Sequence, residues 1–139
     1  MKKLSLLALS FTSIACANAS DNVFFGAKVT LDDSCEISVS HNEQRLTFKP
    51  KFNNISNCRL VTHDETNIVN IKFVNGAYVF FIENNHTNGD KCSSEYTAVG
   101  LSKDLVLHTT AMIKNSLSCN QGQEIQSFEY FSAKLKPQT

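Results

Sequence analysis

Few side chains in this sequence could do chemistry, and they are scattered. Histidines stand singly at 41, 63, 86 and 108. His63 precedes Asp64 and Glu65, which would make an acid–base group if the fold gathered them within hydrogen-bond reach. The surrounding run, Thr62-His63-Asp64-Glu65-Thr66-Asn67, has the composition of a solvated turn instead. Asp32 and Asp33 are adjacent, so on a strand they would point to opposite faces. They read as a turn. There is no Gly-x-Ser-x-Gly elbow, no His-Glu-x-x-His pair and no glycine-rich phosphate loop. Accordingly, no catalytic residue, cofactor or metal site is expected, and the chain reads as a non-enzyme.

The most polar stretch is Glu83-Asn84-Asn85-His86-Thr87-Asn88-Gly89-Asp90. Its oxygen-rich composition suggests calcium, but the spacing is not that of an EF-hand and the closing bidentate acid is missing. It reads either as a flexible surface loop or as a recognition loop held at its base by the Cys92 disulfide. Glu83, Asn84, Asn85, His86, Thr87, Asn88 and Asp90 are the candidate partner-binding residues. A loop braced in this way loses less entropy on docking than a free one.

The compartment follows from the N-terminus. Lys2 and Lys3 form a basic n-region, Leu4 to Ala15 an apolar h-region, and Ala17-Asn18-Ala19 an A-x-A cleavage site. The apolar run falls short of the ~20 residues needed to span a bilayer, and no later segment reaches that length. These features predict a signal peptide over residues 1–19 and one periplasmic domain over 20–139. The competing reading is a lipoprotein acylated on Cys16, since Ser13-Ile14-Ala15-Cys16 partly matches a lipobox. Both routes leave Cys35, Cys58, Cys92 and Cys119 in the domain. An even count in an oxidising compartment predicts two disulfides, and four cysteines allow three pairings. Sequential pairing, Cys35 with Cys58 and Cys92 with Cys119, closes two loops of similar size and is the expected one. No C-x-x-C pair supports zinc.

With Lys2 and Lys3 removed from 13 Lys and Arg, 11 face 13 Asp and Glu, a net of −2. That balance, without any basic cluster, excludes generic nucleic-acid binding.

The elements that must position these groups are short and β-rich. Strands are predicted near Phe24–Thr30, Cys35–Ser40, Arg45–Phe48, Cys58–Thr62, Ile68–Val74, Ala77–Glu83, Tyr96–Ser102, Leu105–Thr110 and Ile125–Lys134. Ala111 to Ser118 fits either a strand or a short helix. The pattern implies an all-β, mainly antiparallel domain, a β-sandwich or small barrel. Asn75-Gly76 predicts a two-residue type I′ turn, setting Phe73 opposite Tyr78, Ile71 opposite Phe80 and Val69 opposite Ile82. One hairpin face is then uniformly apolar. It is expected either to be covered inside a sandwich or to form a patch for a partner or a second copy of the chain in a homodimer.

An exported, two-disulfide β domain of this size, lacking catalytic motifs, resembles the immunity proteins that protect type VI secretion bacteria from their own peptidoglycan-degrading effectors. The resemblance is one of type: leader, length, cysteine layout and β pattern. It implies a protein partner, a secreted lysozyme-like hydrolase, blocked by occlusion of its cleft. The chain also partly resembles the periplasmic lysozyme inhibitors. Asn75-Gly76-Ala77-Tyr78 stands where their Ser-Gly-x-x-Tyr loop would be, one residue short and without the serine, and the chain has no Trp. A further reading is a ligand-binding or sensor accessory barrel with a cavity lined by Phe24, Phe48, Phe73, Phe80 and Phe128.

The leader generates a direct prediction. Mass spectrometry of the exported protein is expected to give Ser20 as the N-terminus. A diacylated Cys16 would overturn the cleavage assignment.

Overall fold

The computed structural model describes residues 22–24, 26–121 and 124–138. The leader, Cys16 and the expected cleavage site lie outside the described residues. Two antiparallel sheets make up most of the rest. The first is a meander in chain order: β1 (Asn22–Phe24), β2 (Ala27–Leu31), β3 (Ile37–His41) and β4 (Gln44–Phe48). The expected first strand is thus two strands, broken at Gly26, whose φ of 80° glycine adopts without cost.

The second sheet is built on two long strands, β7 (Ala77–Asn88) and β8 (Lys91–Ser102). β5 (Asn57–Leu60) and β6 (Lys72–Val74) pair with successive stretches of β7. On the far edge of β8 lie β9 (Leu107–Thr109) and β10 (Lys114–Ser116), and β11 (Lys136–Pro137) closes against β9. One short helix, α1 (Ile125–Ser132), completes the described elements.

Alternation along β7 explains the layering. Phe80 and Ile82 point to the first sheet and pack with Val29, Ile37, Val39, Val99 and Leu101. Val79 and Phe81 point the other way and pack with Ala98, Phe128 and Phe131. The second sheet is therefore covered by the first sheet on one face and by α1 on the other. The fold is a β-sandwich with one added helix, and neither sheet closes into a barrel.

Two expectations about elements need correction. Residues Ile125–Ser132 form a helix rather than a strand. A strand would turn Phe128 and Phe131 to opposite faces, whereas helical spacing of three puts both on one face. There they meet the Phe81 ring edge-to-face, at centroid distances of 4.9 and 5.3 Å. The Asn75-Gly76 hairpin has the expected register from Val74↔Ala77 to Lys72↔Val79, and both turn residues have positive φ. Beyond Lys72 the expected pairs do not form. β5 takes that edge of β7, with Leu60 opposite Ile82, and Val69 bridges to Thr62.

The phenylalanines do not line a common cavity. Phe80 is in one core and Phe128 in the other, Phe24 stacks on Phe80 at 5.8 Å, and Phe73 is exposed. This removes the basis for a Phe-lined ligand barrel.

The disulfides are Cys35–Cys58 and Cys92–Cys119, as the sequential pairing predicts. Cys35–Cys58 ties the β2–β3 turn of the first sheet to β5 of the second. Its neighbour Asp32 organises that turn, with Oδ1 accepting from the Ser34 hydroxyl and from the Ser34 and Glu36 amides. The hydroxyl contact, first, and then the two amides hold the Asp32 carboxyl below its usual value. Each disulfide closes a loop worth roughly 3–4 kcal/mol in the chain-entropy account.

The double covering of β7 makes Phe81 a pivotal side chain. Phe81→Ala should destabilise the fold by about 3–5 kcal/mol, read as a lower urea midpoint at unchanged slope. A change below ~1 kcal/mol would contradict the packing described.

Candidate functional site

Past Ile82, β7 stops being apolar but does not stop being a strand. Glu83, Asn84, Asn85, His86, Thr87 and Asn88 all pair with β8, down to Asn88↔Lys91 around a Gly89-Asp90 turn. The polar stretch expected to be a loop is thus half of a long hairpin. Glu83, Asn84 and Asn85 are buried, whereas Thr87, Asn88, Gly89, Asp90 and Lys91 are exposed and His86 lies between. The sequence-level candidates therefore divide into a buried base and an exposed tip.

The base is built around two buried carboxylates on opposite faces. Glu83, fully buried, continues the helix-side face. Its Oε1 meets the Arg59 Nε at 3.2 Å and accepts from Asn85 Nδ2 at 3.0 Å. Its Oε2 accepts from the backbone amides of Asn120 at 2.8 Å and Gln121 at 3.4 Å. Asn120 extends the network, donating to the Thr62 carbonyl and to Asp64, and accepting from the Thr62 amide and Arg59. It directly follows Cys119, so the Cys92–Cys119 disulfide and the Glu83 carboxylate hold the same segment.

Glu95 does the corresponding work on the other face, directly across from Asn84. Its Oε1 accepts the backbone amide and the side-chain amide of Asn53, each at 3.0 Å. Asn84 Nδ2 donates to Oε2 at 3.2 Å, while Asn84 Oδ1 accepts from the Ser56 and Asn57 amides. The segment between β4 and β5 is thereby fastened to the hairpin. His86 Nε2 stands 3.2 Å from Asn84 Nδ2 and 3.6 Å from Glu95 Oε2.

Beside His86 and Glu95 opens a cavity of about 290 Å³, also lined by Ser93, Ser94, Asn115, Ser116 and Leu117. Leu117 is 97% exposed, the most exposed large apolar side chain among the described residues. The other acid–base candidate, His63-Asp64-Glu65, lines an open depression with Thr66 and Ile68. Asp64 there accepts from the Asn120 side-chain amide.

Beyond Asn85 on β7 and Ser94 on β8 no strand among the described residues flanks the hairpin. β5 ends its pairing at Asn57↔Asn85, and β10 at Ser116↔Ser94. The last three cross-strand pairs, from His86↔Ser93 to Asn88↔Lys91, run on alone. At ~3.3 Å per residue this is a projection of roughly 10 Å. Cys92, in the middle pair, anchors it sideways to Cys119.

Arg59, Asn53, Glu95, Asn120 and Leu117 were not among the candidates from sequence. A signal for Glu95 was present: centring a two-residue turn on Gly89-Asp90 sets it opposite Asn84. The other four reach the site by long-range contacts with no local signature. Among the described residues no group of His, Cys, Asp and Glu is arranged to hold a metal ion, and no helix is long and apolar enough to cross a membrane. Comparison with protein-family models, with curated proteins and with solved structures finds no match.

The Glu83 network yields a stability prediction. Glu83→Ala leaves the Asn120 and Gln121 amides and the buried Asn85 side-chain amide without their acceptor, and should cost about 2–4 kcal/mol in urea unfolding. A variant as stable as the parent would show that the carboxylate does not hold the Asn120 segment.

Proposed function

We propose that the chain is a non-enzymatic immunity protein of the periplasm. It binds and blocks a lysozyme-like, peptidoglycan-degrading effector of type VI secretion, and so protects the producing cell. The observation that carries this reading is the projecting hairpin tip on a braced base. Both flanking strands stop short of it, while a disulfide and two buried carboxylates fix what lies beneath.

A projection of this kind suits occlusion of a cleft. A hydrolase that cuts a long polymer has an open groove lined with hydrogen-bonding groups. A two-stranded tip about 5 Å between strands, plus its side chains, has the width to enter one. Thr87 and Asn88 offer a hydroxyl and an amide, and Asp90 and Lys91 offer charges of both signs. Because the tip is already ordered, little conformational entropy is lost on docking. The two disulfides are compatible with an extracytoplasmic compartment.

Separating base from tip changes which residues the test uses. Asn85 is buried and bonded to Glu83, so its replacement would disturb the fold rather than report on a contact. Replacing Thr87, Asn88 and Asp90 together by Ala is expected to leave the far-UV spectrum and both disulfides intact. Inhibition of the peptidoglycan hydrolase encoded beside the gene should weaken at least tenfold, ~1.4 kcal/mol. Unchanged inhibition by the folded triple variant would take the tip out of the mechanism. Inhibition of a host lysozyme, but not of the neighbouring hydrolase, would transfer the reading to host-lysozyme inhibition.

A further inference from the structure

The two buried carboxylates differ in one respect. Glu83 has a guanidinium against it, and Glu95 has none. A carboxylate offers about four lone-pair sites. Asn53 fills two of these on Glu95 Oε1 and Asn84 fills one on Oε2. His86 Nε2 is 3.6 Å from Oε2, beyond hydrogen-bond length but within ion-pair distance when the ring is protonated. One acceptor site of Oε2 therefore stays open on a side chain that is only 8% exposed and that lines the cavity beside β10. Three amide N–H groups and an imidazole too distant for a hydrogen bond leave this buried carboxylate less fully compensated than Glu83, so the site favours an added cation.

We propose that this cavity receives the guanidinium of an arginine side chain presented by the partner protein. A volume of about 290 Å³ is small for a free ligand and suits one inserted side chain. Arginine fits better than lysine. Its planar group is weakly hydrated and carries five donors, which a carboxylate oxygen and surrounding hydroxyl and amide oxygens can share. Asn115, directly across from Glu95, and Ser93, across from His86 on the same face, supply such oxygens beside it. Leu117, exposed at the mouth, supplies an apolar contact for the aliphatic stem. The cavity adjoins the projecting hairpin through His86 and Ser93, the first pair beyond the flanking strands. A partner gripping the tip would thus have the cavity within the same footprint. The identity of the donor as a partner residue rests on the binding role proposed above, while the cavity's preference for a guanidinium does not.

The test uses the whole mature protein, isotope-labelled, with small probes and then the hydrolase. L-Arginine amide should shift the His86 ring and the Ser93 and Glu95 amide resonances saturably. L-Citrulline amide, nearly isosteric and uncharged, should not. Glu95→Gln, which keeps the side chain's volume and an acceptor for Asn53, should abolish the response. Leu117→Ala, at a site too exposed to affect folding, should weaken it severalfold. Where the neighbouring hydrolase binds the wild type, Glu95→Gln should lower that affinity at least tenfold. Absence of a response to arginine amide, or an equal response to the citrulline probe, overturns the cavity assignment whether or not the hydrolase binds. An equal response to L-lysine amide overturns the guanidinium preference. A Glu95-dependent arginine response with no hydrolase bound leaves the cavity standing and removes the proposed function instead.

Discussion

Burying a carboxylate is costly unless its oxygens find donors, and the β7–β8 hairpin buries two, on opposite faces. The rest of the molecule's polar end depends on how that cost is met. Glu83 recruits the amides of Asn120 and Gln121, and Glu95 recruits the amide of Asn53. Segments without regular structure thereby acquire fixed positions, because leaving them loose would leave a buried charge unsolvated. The apolar half of the same hairpin needs no such device. Phe80, Phe81, Ile82 and Val99 pack against the first sheet or the helix, and burial alone supplies the driving force.

Rigidity then passes outward to the tip. The disulfide at Cys92 enters the hairpin within the free pairs, and its other end, Cys119, precedes the Asn120 that Glu83 holds. Covalent and ionic restraints therefore converge on one short segment. A hairpin projecting without neighbours would ordinarily be marginal in water. Here it extends from a base in which nearly every buried polar atom is paired. Asn85 Oδ1 is an exception among the described residues.

Much of the apolar architecture was legible in the sequence, and much of the polar architecture was not. Alternation and the Asn75-Gly76 dipeptide located most strands and the register from Val74↔Ala77 to Lys72↔Val79, and cysteine parity with similar loop sizes gave the pairing. The aromatic run Phe128-Glu129-Tyr130-Phe131 was misread as a strand, because so short a segment supports either period until its partner, Phe81, is known. Glu83 to Asn88 was misread as a loop for a more general reason. Polarity signals exposure only when the polar groups lack internal partners, and Glu83's partners lie 24 and 37 residues away in sequence, at Arg59 and Asn120. A pattern read along the chain does not contain those contacts.

The dependence of the loops on the two carboxylates is open to direct measurement by native-state amide hydrogen exchange on the wild-type protein. The amides of Asn53 and Asn120 belong to no strand or helix, so by secondary structure alone they should exchange as rapidly as exposed turns. If Glu95 and Glu83 hold them, their exchange is slowed to a level comparable with the β7 amides of Phe81 and Glu83. Exchange of both at the rate of the exposed Gly89 amide would contradict the account, and would leave the hairpin tip without its rigid base.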